Sequence, residues 1–150
     1  MRPQVRYLMI CFVSTCYTSM VCGQSKSISV RDLPQKAKHF LQVYYSRTGV
    51  ASISSDVESW FRSDAYHVLL QDGKRIEFDE QGNWREVDGH RKPLPIALVP
   101  EQVLTYLARS FPKTDVVRMR RKAEKYLVAI SNGLELEFNK KGEFIKINQQ

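Results

Sequence analysis

Two spacings of apolar residues alternate along the chain after residue 30. Ala37, Phe40, Leu41, Tyr44 and Tyr45 fall at i, i+3, i+4, i+7 and i+8, one stripe of a helix, while Lys36, Lys38 and Gln42 point elsewhere. Asp32 is expected as its N-cap, Pro34 in its first turn and Gly49 at its end. The stripe returns 66 residues later as Val99, Val103, Tyr106, Leu107 and Phe111, with Pro112 as the stop.

After each helix the period drops to two. Val50 to Ile53 and Val116 to Met119 are β-prone, and each leads towards strands separated by turn signals. In Tyr66 to Val87, YHVLLQDGKRIEFDEQGNWREV, Asp72-Gly73 suits a type I′ hairpin, whose two central residues need positive φ. That turn pairs Leu70 with Arg75, Leu69 with Ile76, Val68 with Glu77 and His67 with Phe78. Asp79-Glu80-Gln81-Gly82 then predicts a three-residue loop with Gly82 left-handed, bringing Phe78 opposite Trp84. Tyr126 to Ile147, YLVAISNGLELEFNKKGEFIKI, repeats this grammar 60 residues on, with turns at Asn132-Gly133 and Asn139 to Gly142.

The pattern predicts an α+β protein of tandem duplicated αββββ units, at about residues 30–89 and 94–148, with antiparallel sheets and one helix per unit packed on one face. Residues 24–89 form the first unit, and 90–150 the linker and the second. Asp88 to Pro95, DGHRKPLP, supplies the linker. Because the offset falls from 66 to 60, the first unit carries six extra residues between Ile53 and Tyr66, predicting a longer hairpin with Trp60 and Phe61 at its tip.

These segments, with LPQKAKHFLQVYY and VPEQVLTYLARSFP, resemble the exported bacterial PepSY-like proteins, also described as β-lactamase-inhibitor-like. The resemblance covers nearly all of residues 30–148. Its most specific pieces are the two Asp/Asn-Gly strand pairs and the F-D-x-x-G-x-W hairpin at Phe78 to Trp84. It implies tandem α/β units and a protein-binding or inhibitory role rather than catalysis. The six-residue extension and Phe144 in place of a second Trp depart from it.

Arg2 and Arg6 precede a mostly apolar run, Tyr7 to Val21, with no charge until Lys26. Residues 1–23 read as a signal peptide cleaved near Gly23/Gln24; the run is short for a spanning helix, and an uncleaved anchor is the alternative. A lipid anchor at Cys22 is a weaker alternative, since Val21 stands where a small residue is expected. The expected location is periplasmic or secreted, with no membrane span in the mature protein. Cys11, Cys16 and Cys22 all lie in the leader, leaving the mature domain without disulfides, thiolate metal sites or cysteine nucleophiles. The formal net charge of +7, two of it in the leader, gives solubility and a loose attraction to anionic surfaces.

His39, His67 and His90 lack metal spacing, and neither a phosphate loop nor a Ser/His/Asp grouping can be assembled. The expectation is no enzyme, no metal and no cofactor. Arg118, Arg120, Arg121, Lys122 and Lys125 cluster at the first turn of the second unit, as a solvated hairpin end or a site for an acidic polymer or protein. Nucleic acid is not expected, because only Met119 and Tyr126 are interleaved for stacking.

The two-residue turn register puts Leu69, Ile76, Phe78 and Trp84 against the helix, matched by Ala129, Leu136, Phe138 and Phe144. Tyr66, Val68, Leu70 and Val87, with Arg75, Glu77 and Arg85, then face away, as do Tyr126, Val128, Ile130, Ile145 and Ile147. So large an apolar area rimmed by charge marks a protein-binding surface, unless the two units fold over one another. The expected function is therefore an exported, non-enzymatic, inhibitor-like module gripping a protein partner. Its expected contacts are Trp60, Phe61, Tyr66, Val68, Leu70, Arg75, Arg85, Tyr126, Val128 and Ile130. The alternative is a structural or ligand-buffering envelope protein that binds anionic polymer or small molecules between its units.

Overall fold

A computed structural model describes residues 25–56 and 65–148; Trp60 and Phe61 lie outside the described residues. In chain order the elements are β1 (Ser25–Ser27), α1 (Gln35–Tyr45), β2 (Val50–Asp56), β3 (Ala65–Leu70), β4 (Arg75–Asp79), β5 (Trp84–Asp88), α2 (Glu101–Ser110), β6 (Val116–Lys122), β7 (Lys125–Ile130), β8 (Glu135–Asn139) and β9 (Phe144–Asn148). The strands join in sequence order into one antiparallel sheet of nine. A single sheet replaces the separate sheets expected, because β5 pairs with β6 through Glu86 and Arg120, Val87 and Met119, and Asp88 and Arg118. The two halves lie side by side and neither folds over the other's sheet.

Both helices begin just after a proline, Pro34 and Pro100. Asp32 does not cap α1. It closes a 3-10 turn over Val30–Asp32, where its carboxylate accepts from the Ser29 N–H at 3.0 Å in a capping box. From α1, Ala37, Phe40, Leu41 and Tyr45 are buried; from α2, Val103 and Leu107. Phe40 meets Phe78 edge-on at 5.4 Å, and Tyr106 meets Phe138 in the same way at 5.5 Å.

Beneath the helices one row of side chains crosses eight strands: Ile53, Val68, Ile76, Val87, Met119, Val128, Leu136 and Ile147. All but Ile147, on the edge strand, are at most 3% exposed. This overturns the expected register. The Leu70 N–H donates to the Lys74 carbonyl, and the Gly73 N–H to the Leu70 carbonyl, so Gln71-Asp72-Gly73 is a three-residue loop rather than a two-residue turn. The extra loop residue pairs Val68 with Ile76 instead of Glu77, and shifts β3 by one position. Ile130 and Leu134 close the corresponding turn in the same way. The second turn in each half is the expected three-residue loop, and Phe78 does pair with Trp84.

Candidate functional site: the uncovered face of the sheet

Because side chains alternate along a strand, a slip of one residue exchanges the faces. Val68, Leu70, Val128 and Ile130, expected on a free surface, are 0–1% exposed in the core and cannot meet a partner in the folded chain. Tyr66 and Tyr126 are half-buried on the same helix side. Val87 joins them because a bulge at Arg85 shifts β5. Of the expected contacts among the described residues, only Arg75 stands on the face away from the helices. Arg85 lies with Tyr126 at the end of the sheet, beside Trp84.

The helix-free face is polar. One row runs Ser52, Leu69, Arg75, Asp88, Arg118, Ala129, Glu135, Asn148; its neighbour runs Ser54, His67, Glu77, Glu86, Arg120, Leu127, Glu137, Lys146. Ion pairs run laterally across it. Arg120 forks onto Glu86, Nε to Oε2 at 2.6 Å and Nη2 to Oε1 at 3.2 Å, across the junction of the two halves. Arg118 donates to Glu135 at 2.9 Å, and Lys125 to Glu137 at 2.7 Å. The hydrogen bond from Lys125 holds the Glu137 carboxyl below its ordinary pKa, and the Glu86 carboxylate raises that of Arg120. Beside this lattice a shallow depression of about 360 Å³ is lined by residues including Ser54, His67, Arg75 and Glu77.

Sequence reasoning missed Glu86 and Glu135 as partners of the basic cluster; the alternation of Arg118 and Arg120 on one strand was the available signal. The cluster splits. Arg118, Arg120 and Lys125 are neutralised on the open face, while Arg121 pairs with Tyr126 on the other side.

Among the described residues, the carboxyls whose pKa departs from the ordinary value, Asp72, Asp79 and Glu137, are all held down, opposite to what a general acid at neutral pH needs. Among the described residues no group of three or more His, Cys, Asp or Glu is placed to hold a metal. Among them, too, no helix is long and apolar enough to cross a membrane.

The family model described as "Putative beta-lactamase-inhibitor-like, PepSY-like" matches residues 64–146, more than half of the chain. A "putative calcium-regulated periplasmic protein" of Bacteroides thetaiotaomicron is 34% identical, with a TM-score of 0.77 over 83% of this chain and 97% of that one. Two Bacteroides vulgatus proteins, each described as a "putative periplasmic protein", are similar as well. One is 31% identical, with a TM-score of 0.76 over 83% of this chain and 97% of its own. The other, of unknown function, is 28% identical, with a TM-score of 0.78 over 84% of this chain and 100% of its own. No curated protein matches the chain.

Proposed function

We propose that this chain, which belongs to the PepSY-like family, is an exported, non-enzymatic binding module that engages a protein partner through the uncovered face of its sheet. One observation carries the reading: an eight-strand-wide surface over which the described residues place no helix, and on which Arg and Glu side chains are already ordered by lateral ion pairs. Side chains fixed before binding lose less conformational entropy on association, and Arg is favoured at interfaces. The alternating charges suit a partner that is itself polar, held by electrostatic complementarity rather than by an apolar grip.

Export follows from the leader at residues 1–23 and is supported by the periplasmic relatives. The shared succession of helix, three-residue turns and Phe/Tyr edge contacts supports reading the halves as tandem copies of one αββββ unit. The family's inhibitor-like description makes a hydrolase the first class of partner to try. The calcium regulation named for the B. thetaiotaomicron protein is not carried over, for want of a clustered acidic site among the described residues.

The test uses the mature chain as bait in an envelope extract, beside the double variant Arg75→Glu/Lys146→Glu. Both residues are exposed on this face. The native chain should retain a protein that rising ionic strength releases, and the variant should lose it with an unchanged melting temperature. Equal retention by both chains would place binding elsewhere. The retained protein, if a hydrolase, is then assayed with and without the chain.

A further inference from the structure

The bases of the β6–β7 hairpin have two different environments. Arg118, Arg120 and Lys125 meet acids on the open face, whereas the Arg121 guanidinium lies 5.2 Å from the centre of the Trp84 ring. Trp84 in turn runs nearly parallel to Tyr126, 18° apart with 6.4 Å between centroids. With Arg85, Lys122 and Lys140 they wall a cleft of about 480 Å³ at the end of the sheet where the halves meet. That size suits a small ligand. Three separate segments deliver the cations: the start of β5, the β6–β7 hairpin and the β8–β9 turn.

Gathering like charges around one cleft is unfavourable unless something offsets them. For Arg121, Lys122 and Lys140 the acids among the described residues offset little. Asp79 lines the cleft, but its carboxylate accepts from the Gln81 and Asn83 backbone N–H groups and the Asn83 side chain. Glu124 holds Lys140 at 2.7 Å in a pair whose side chains are 80% and 58% exposed, so screening leaves it weak. Among the described residues neither Arg121 nor Lys122 makes an ion pair. A guanidinium held over an indole through its π surface keeps its N–H edges for a ligand, and that fork matches carboxylate and phosphate.

We propose that this cleft binds a ring-shaped ligand bearing an oxyanion, a carboxylate or phosphate as on an acidic sugar. The oxyanion sits among Arg121, Lys122 and Lys140, and the ring lies along Trp84 and Tyr126, whose amphipathic rings suit a ligand with one apolar face. The site adjoins the open face through Lys122, which alternates with Arg118 and Arg120 and lines depressions on both sides of the sheet's end, but it does not depend on the protein-partner reading.

Trp84 becomes the sole tryptophan once Trp60 is replaced by Phe, since the chain has 2. Fluorescence of that variant is followed on titration with glucuronate, glucose 6-phosphate, glucose and inorganic phosphate. One or both acidic sugars should saturate the signal, glucose should not, and inorganic phosphate should bind more weakly than glucose 6-phosphate. A response to glucuronate alone assigns the carboxylate; one to glucose 6-phosphate alone assigns the phosphate. Arg121→Ala/Lys122→Ala should weaken binding about tenfold or more, the loss of a charge-assisted contact. Lys122→Gln/Lys140→Gln, at two exposed positions, should weaken it too, and guards against a folding defect in the first variant. No saturable response to either acidic sugar, an equal response to glucose, or affinity unchanged in both variants would overturn the proposal. Inorganic phosphate binding as tightly as glucose 6-phosphate would overturn the ring.

Discussion

Gly82 and Gly73 occupy the same position of two three-residue loops and have nearly the same φ, +80° and +89°, yet alanine should cost very different amounts at the two. At Gly73 an added Cβ meets nothing within 4 Å, so only the left-handed backbone is penalised, at about 1 kcal/mol. At Gly82 it would sit 2.7 Å from Pro34 Cβ and 3.0 Å from the Ala37 backbone N, inside the first turn of α1. Those atoms are not the ends of flexible side chains. Relief requires α1 to lift, and α1 carries Phe40 onto Phe78. Overpacking of this kind costs about 1–3 kcal/mol, making about 2–4 kcal/mol in all for Gly82→Ala. Urea unfolding reads the difference. With an m-value of about 2 kcal/mol/M, the midpoint should fall by about 0.5 M for Gly73→Ala and about 1–2 M for Gly82→Ala, m being unchanged. Equal midpoints for the two variants would refute the claim that this turn is wedged against the helix.

Two further outcomes follow from buried and hydrogen-bonded groups. The Tyr45 hydroxyl is buried without a hydrogen-bond partner among the described residues, and burial raises its pKa far above the ordinary phenol value. Tyr45→Phe should therefore be neutral or stabilising by about 1 kcal/mol in the same urea assay, and a loss of that size would reveal a hidden partner. At Asp79, burial pushes the pKa up from 3.8, but bonds from Asn83 and Gln81 and the charge of Arg85 outweigh it, so the net shift is downward. A carboxyl with its folded pKa depressed contributes stability that is fully present above its unfolded pKa and lost as pH falls through the folded one. Asp79→Asn should flatten the acid limb of stability below about pH 4 while leaving the turn intact, because Asn139 already accepts the same N–H bonds, at 2.9 and 3.0 Å, in the other half. A melting temperature at pH 3 that falls as steeply as in the native chain would sink this.

The helices, the positions of the turns and the order of strands within β2–β5 and β6–β9 were legible because each rests on local rules: a stripe at 3.6, a Gly with φ above zero, an Asp or Asn that favours a turn. Legibility stops where a rule admits two answers one residue apart. Asp-Gly serves a two-residue turn and also a three-residue loop, and the Lys74 N–H bonded to Asp72 Oδ1 at 3.2 Å belongs to the second. That single residue moved Val68 and Leu70 from the expected surface into the core, and put Leu69 and His67 outside. The inverted face changes the functional argument as well, since an apolar grip needs an apolar surface, and the surface left open carries Arg, Glu and Lys. The junction of the halves was likewise beyond local reading, for pairing Glu86 with Arg120 links residues 34 apart across a linker. Yet that pairing creates both candidate surfaces. It lays the acids of β5 beside the bases of β6 on the open face, and it leaves Arg121, one position further and therefore on the opposite side, above Trp84 with no acid among the described residues to meet.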